Sequence, residues 1–269
     1  MTQDNNQHNG VLFDLDTNGV ATVTLNRPEK HNAFDDHTIA RLSSLFKDIG
    51  ENPAVRCMVL TANGKNFCAG ADINWMQRMA DYSVQQNQQD ALALATMLQI
   101  LNSMPKPTIA KVQGIAFGGA VGLIACCDIA IATKLSRFCL SEVKLGLVPA
   151  TISPYVIEAI GSRAARRYFV TAEVFSARRA RRLGLISDTV TEEELDTTIS
   201  ELTDALLKNG PKAIAIAKAL IPQVSNKVID SQLLDFTSSL IAEVRVSDEG
   251  QEGLNAFLQK RPASWRQEQ

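Results

Sequence analysis

Apolar residues dominate 11–16 and 20–25, interspersed with Asp and Thr, and Thr17-Asn18-Gly19 lies between the two runs, which predicts a β-hairpin at the start of the chain. A loop over 26–32 then leads into a helical pattern reaching about residue 49. Residues 55–61 are β-like and close on the turn Ala62-Asn63-Gly64. A longer helical pattern covers 84–103, and its Gln-rich opening, residues 85–89, reads as a solvated face. Residues 108–112 predict another strand, and an apolar helix begins near Ala120. Short strands are predicted over 129–132 and 137–140. Strands alternating with helices predict an α/β fold with crossover connections. Past residue 155 the pattern turns helical, over 155–160, 162–171, 176–183, 192–207, 211–220, 229–246 and 251–259. Gly184 and Gly210 punctuate these runs, and Pro211 suits a first helical turn, where its missing N–H is tolerated.

Composition narrows the class. With 269 residues, 45% hydrophobic and 21% charged, the chain can bury a substantial core as one domain. A net charge of -2 gives no bulk positive field to recommend nucleic acid as an obligate partner. The polar opening, residues 1–10, lacks the layout of a secretory signal, and no apolar run approaches 18 residues, so no membrane partner and a cytoplasmic location are expected. The five cysteines, 57, 68, 126, 127 and 139, show no zinc-like spacing and read as buried packing, and no metal is expected.

Two glycine-containing turns carry the candidate chemistry. Gly118-Gly119 sits between a predicted strand and a predicted helix, where unpaired amides can hold a developing negative charge on oxygen. Phe67-Cys-Ala-Gly70-Ala71-Asp72 can supply a second donor. Asp72 and Glu142 are the acids near these turns. Glu142 can act as a general base, although on spacing alone a surface or capping position is the stronger reading. No phosphate-binding loop of the G-x-x-x-x-G-K type, no dinucleotide fingerprint and no G-x-S-x-G elbow occurs, and the histidines, 8, 31 and 37, all precede the two turns.

The segments Leu25-Asn-Arg-Pro-Glu-Lys-His-Asn-Ala33, Cys68-Ala-Gly-Ala-Asp72, Gly118-Gly119 and Phe257-Leu-Gln-Lys-Arg-Pro262 resemble, in order, those of the enoyl-CoA hydratase/isomerase, or crotonase, superfamily. The resemblance implies a spiral of β-β-α units, an α/β core over 1–205, and a helical region over 206–269 that contributes to the oligomer and the CoA site. A homotrimer or homohexamer is implied. The substrate would be an acyl-CoA, with CoA as its carrier and no separate cofactor.

By the same resemblance, the amides of Ala71 and Gly119 form the oxyanion hole, and Glu142 is the acid/base residue. The implied CoA contacts are Arg27, Lys30, Ala33, Ala69, Asp72 and Ile73, with Phe257 and Lys260 reaching the adenine and phosphate ends. Phe257 and Lys260 also have ordinary readings, as core and solvent-facing side chains. Many relatives carry a second glutamate, and here that position is Gly122. Gly122, Pro149, Thr151, Ser153 and Tyr155 are candidates for the substrate pocket. Together with the sequence from Gly122 to Asp128, the residues after Pro149 and the 163–169 run resemble those of the bacterial 3-methylglutaconyl-CoA hydratase group of leucine degradation. The implied reaction is hydration of that branched thioester to 3-hydroxy-3-methylglutaryl-CoA. A longer isoprenoid glutaconyl-CoA as substrate, double-bond isomerisation, and a noncatalytic CoA-binding or RNA-associated scaffold are the other readings. Arg163, Arg166 and Arg167 are spaced for one helix face and read as a solvated face paired with acids.

Overall fold

The computed structural model describes residues 10–266, so nine of the ten residues in the polar opening, His8 among them, lie outside the described residues. The predicted hairpin is present. Strands β1 (Val11–Leu15) and β2 (Val20–Leu25) pair antiparallel, with Val11 opposite Leu25. The Asp16 carboxylate accepts from the Asn18 and Val20 amides, and Gly19 takes a positive φ of 89° to complete the turn.

Four more strands extend the sheet in parallel: β3 (Cys57–Ala62), β4 (Thr108–Val112), β6 (Ile129–Thr133) and β9 (Asp188–Val190), in the order β1-β2-β3-β4-β6-β9. The central strand β3 is apolar at successive positions because both of its faces are covered. Met58 and Leu60 join the main core, whereas Val59, Ile109 and Ile131 face a smaller cluster completed by Leu195 and Ile199 of α7 (Glu192–Leu207). The main core packs beneath α1 (Asp36–Glu51) and α3 (Val84–Asn102). On α1, Ile39, Leu42, Phe46 and Ile49 recur at helical spacing on the buried face, and Asp35 caps its first turn through the Thr38 amide.

A second, smaller sheet of β5 (Ile115–Phe117), β7 (Arg137–Cys139) and β8 (Phe175–Ser176) is interleaved with the large one along the chain: β5 follows β4, β7 follows β6, and β8 precedes β9. Single parallel bridges, Cys68 to Ala116 and Phe34 to Ala71, continue it outward. The circuits through β2, β3, β4 and β6 each lay one strand in the large sheet, then a short extended piece in the small one, and then a helix, whereas the last runs β8, helix, β9. This is the crotonase-like spiral of β-β-α units.

The sequence pattern does not reveal β5, β8 or β9, which have three residues or fewer and so are too short for periodicity, nor the eight-residue α2 (Ile73–Ala80). The helices predicted over 155–160 and 162–171 form one element, α5 (Ser153–Thr171), broken where predicted, since Gly161 has φ 73° and ψ 154°. Cys57, Cys68, Cys126 and Cys139 are buried and Cys127 is half-buried. Burial pushes the Cys57 and Cys68 thiols up to about 12.

The remaining helices sit on this core. They are α4 (Gly119–Ala125), α6 (Ala177–Leu183), α8 (Pro211–Val224), α9 (Ser231–Val246) and α10 (Asp248–Leu258). No side chain of α8 or α9 is buried, and on α10 only Ala256 is. Polar tethers hold them: Lys218 Nζ lies 2.7 Å from Asp128 Oδ2, and the Arg56 guanidinium donates to the carbonyls of Leu207, Asn209 and Trp265. Among the described residues, no helix is long and apolar enough to cross a membrane.

Candidate active site

The small sheet sets two turns side by side. Cys68 N–H donates to Ile115 O and Phe117 N–H returns a bond to Cys68 O, each at 3.1 Å, so the 67–71 segment runs along β5. On its other side, Phe34 N–H donates to Gly70 O and Asp72 N–H donates to Phe34 O, both at 2.9 Å. These two bonds flank Ala71 in a parallel bridge, which leaves the Ala71 amide aimed away from Phe34. Beside it, Gly118 has φ 55° and ψ -125°, and its amide is fixed to Cys139 O at 2.8 Å. Gly119 follows as the first residue of α4, so its amide has no intrahelical acceptor. Neither the Ala71 nor the Gly119 N–H donates to a protein acceptor among the described residues.

Glu142 reaches this place from beyond the end of β7. It opens a single 3-10 turn, Glu142–Leu145, three residues past the strand end. A Cβ placed on Gly118 would lie 3.3 Å from Glu142 Oε1 and 3.7 Å from Ser141 Oγ, so both the positive φ and the close approach call for glycine here. Glu142 Oε2 is buried without a hydrogen-bond partner among the described residues. Burial raises the carboxyl above its ordinary 4.5, against a lesser opposing effect from the residue's own amide. A carboxyl with a raised pKa and a free oxygen, beside two unpaired amides, can move a proton next to an oxyanion.

Asp72, the other acid named from sequence, has a different setting. It is 4% exposed and caps α2 through the Asn74 amide at 2.8 Å. Its Oδ2 pairs with Arg27 Nη2 at 2.9 Å and Lys30 Nζ at 3.1 Å. Burial alone would raise its pKa, but the Lys30 hydrogen bond, the Asn74 amide and the Lys30 charge together hold it below 3.8. Arg27 also donates to Asp35 Oδ2 at 2.8 Å and to Ala33 O at 3.2 Å. The 27–33 loop is thereby locked onto the start of α2. Ala69 N–H donates to His31 O, Ala33 is buried, and Ile73 stands 73% exposed at the loop edge. The structure thus gathers Arg27, Lys30, Ala33, Ala69, Asp72 and Ile73 around one loop junction.

Phe257 and Lys260 stand apart from that junction. They lie at the end of α10, which packs on α8 and α9, and Phe257 is 82% exposed. Of the pocket candidates, Pro149 is buried, Thr151 is half-buried, and Ser153 Oγ donates to Ala150 O at the start of α5. Tyr155 lines a separate cavity with Ala125 and Lys218. Arg167 pairs with Glu173 and lies over the Tyr168 ring, in keeping with a solvated face.

Three residues at the site carry no sequence signal. A Cβ on Gly122 would fall 2.3 Å from Ile152 Cγ2 and 3.6 Å from Leu98 Cδ2, so the Ile152 side chain occupies the space a larger residue at 122 would fill. One on Gly119 would fall 2.5 Å from Phe34 Cζ. Ile152, Leu98 and Phe34 sit 30, 24 and 85 residues from their glycines, and only tertiary folding joins them. Among the described residues, no group of three or more His, Cys, Asp or Glu converges as for a metal ion.

The sequence profile of the enoyl-CoA hydratase/isomerase family matches residues 16–268. The chain is similar to an enoyl-CoA hydratase from Shewanella pealeana, at 49% identity and a TM-score of 0.93, covering 97% of each chain. It is also similar to an enoyl-CoA hydratase/isomerase (crotonase) from Legionella pneumophila, at 47% identity and a TM-score of 0.92, covering 96% of this chain and 99% of that one. A crotonyl-CoA hydratase from Syntrophomonas wolfei is 30% identical over 91% of this chain and 94% of its own length.

Proposed function

The chain belongs to the enoyl-CoA hydratase/isomerase family, and from that premise we propose that it reversibly hydrates 3-methylglutaconyl-CoA to 3-hydroxy-3-methylglutaryl-CoA. The observation that carries the hydratase chemistry is the buried, unpartnered Glu142 Oε2 beside the Gly118 turn. The short branched acid is supported by the sequence resemblance over 122–128 and 149–169 and by the apolar Ile152 set against Gly122.

In the proposed mechanism the thioester oxygen takes hydrogen bonds from the Ala71 and Gly119 amides, whose orientation is already fixed by the bonds around them. Glu142 accepts a proton from water as the water oxygen bonds to C3. The C2–C3 π electrons move toward the carbonyl, giving an enolate stabilised by the two amides. The carboxyl that took the proton returns it to C2, so one residue serves as base and then as acid and the protons balance. Burial raises its pKa, which strengthens the carboxylate as the base of the first step. Ile152 occupies the space beside Gly122, and Glu142 alone carries both proton transfers in this scheme.

CoA would lie along the junction of the 27–33 loop with residues 69–73. Phe257 and Lys260, exposed on α10 away from that junction, would serve a neighbouring subunit's CoA in a homotrimer or homohexamer. Exposed Leu234, Phe236 and Ile241 on α9 support such an assembly.

The test is hydration and dehydration of 3-methylglutaconyl-CoA, crotonyl-CoA and a longer isoprenoid glutaconyl-CoA, with products identified by mass. Preference for the short branched acid is expected. Preference for the long one moves the assignment to isoprenoid thioesters. A single carboxylate also suits isomerisation, in which Glu142 shuttles a proton between carbons. Double-bond migration without water uptake would establish that reading, and thioester binding without turnover would establish a scaffold.

A further inference from the structure

We propose that Ile152 is the partition that limits acyl-chain length, closing the seam between the glycine turn and a cavity beneath α8. The proposal rests on the acyl-CoA reading of the site.

Gly119, Gly122 and Ala125 follow one another at three-residue steps along α4, so they share one side of that helix. Gly119 opens the helix at the site, and Ala125 closes it at the wall of a cavity of about 490 Å³. The opposite wall of the seam repeats the spacing: Ile152, just before α5, lies over Gly122, and Tyr155, one turn on, lines the cavity. Between the two ends, Gly122 contributes no side chain. The Ile152 methyl group fills the place of one, with Leu98 next to it. Ile152 is 1% exposed and Leu98 fully buried, so the plug is packed in place.

The cavity beyond suits a hydrocarbon chain. Met104, Ala125, Ala159, Ala219 and Ile221 supply much of its wall. Its charged lining residues are Asp128, Lys218 and Glu158. The first two are paired with each other, and Asp128 also accepts from Thr108, which leaves them little call for a polar ligand. With Ile152 in place, the chain end of a substrate stops at Gly122. With the side chain cut back, it can pass along the α4 stripe into the cavity.

The experiment compares wild type, Ile152→Val and Ile152→Ala on straight-chain 2-enoyl-CoAs of increasing length, reading kcat and KM separately. In the wild type, kcat/KM is expected to fall as the chain lengthens. Ile152→Ala is expected to raise the long-to-short ratio at least tenfold, mainly through KM for the long substrates, and Ile152→Val to raise it less, in the same direction. Adding Ala125→Leu to Ile152→Ala fills the cavity mouth and is expected to cancel the gain while sparing the shortest substrate. If Ile152→Ala does not fold, the valine variant decides alone.

An unchanged ratio in a folded variant overturns the proposal, as does a wild type that already favours long chains. Calorimetric binding of saturated acyl-CoAs reads the partition without turnover. A wild type that binds these thioesters but hydrates none therefore counts against the proposed activity, and chain-length dependence identical in wild type and variant counts against the partition.

Discussion

Asp72 and Glu142 each stand next to one of the two turns, and the fold treats them in opposite ways. Asp72 is more deeply buried, yet its oxygens meet two backbone amides, a guanidinium and an ammonium, and its pKa falls. Glu142 is half-buried, one of its oxygens has no partner among the described residues, and its pKa rises. Burial acts in the same direction on both, and partners decide the outcome. A carboxylate with its bonds satisfied holds a loop in place. One left short of partners keeps its capacity to exchange a proton, at a cost in stability.

The largest effect expected from this contrast is on turnover. Glu142→Gln keeps the shape and removes the proton acceptor, so kcat should fall by roughly 10²- to 10⁴-fold, as measured by steady-state hydration. Next is the oxyanion turn. Gly119→Ala forces a methyl group to within 2.5 Å of the buried Phe34 ring, and kcat should fall about 100-fold as the amide shifts. Adding Phe34→Leu should recover part of that loss, and no recovery would indicate that the ring contact is not the cause.

Asp72→Ala should act on the fold instead. Losing the α2 cap and two charged hydrogen bonds should lower stability by about 2 to 3 kcal/mol, read from urea unfolding. The smallest effect depends on pH. The Glu142 pKa is raised in the folded state, so as pH climbs above 4.5 the unfolded chain releases this proton first and stability is lost, down to a plateau above the folded value. Glu142→Gln should therefore raise Tm near neutral pH, with the gain vanishing below about pH 4.5. The Asp72 contribution runs the other way: it is present above 3.8 and lost as pH falls through the depressed folded value.

How much of this the sequence discloses depends on the range of each interaction. Gly118 and Gly119 announce themselves because a strand-to-helix turn restricts the backbone locally, and the helices over 192–207 and 211–220 follow from apolar spacing alone. Glu142 could be named beside them, but its unpaired oxygen could not, since pairing depends on what the fold brings near. Arg27 and Asp72 are 45 residues apart; the resemblance sets both near CoA, but nothing in either segment foretells their ion pair. Ile152 is the sharpest case. Its neighbours Thr151 and Ser153 are pocket candidates through the family resemblance after Pro149, while nothing in the sequence singles out the isoleucine between them. Its importance comes from the missing side chain at Gly122, which only the packed structure makes visible.

The most direct test of the central claim sets the two acids against each other on one substrate. Hydration of 3-methylglutaconyl-CoA and binding of a saturated analogue would be measured for wild type, Glu142→Gln and Asp72→Asn. Glu142→Gln is expected to bind the analogue but scarcely turn over, whereas Asp72→Asn, where folded, is expected to keep most of its kcat. Glu142→Gln turning over at the wild-type rate would contradict that claim.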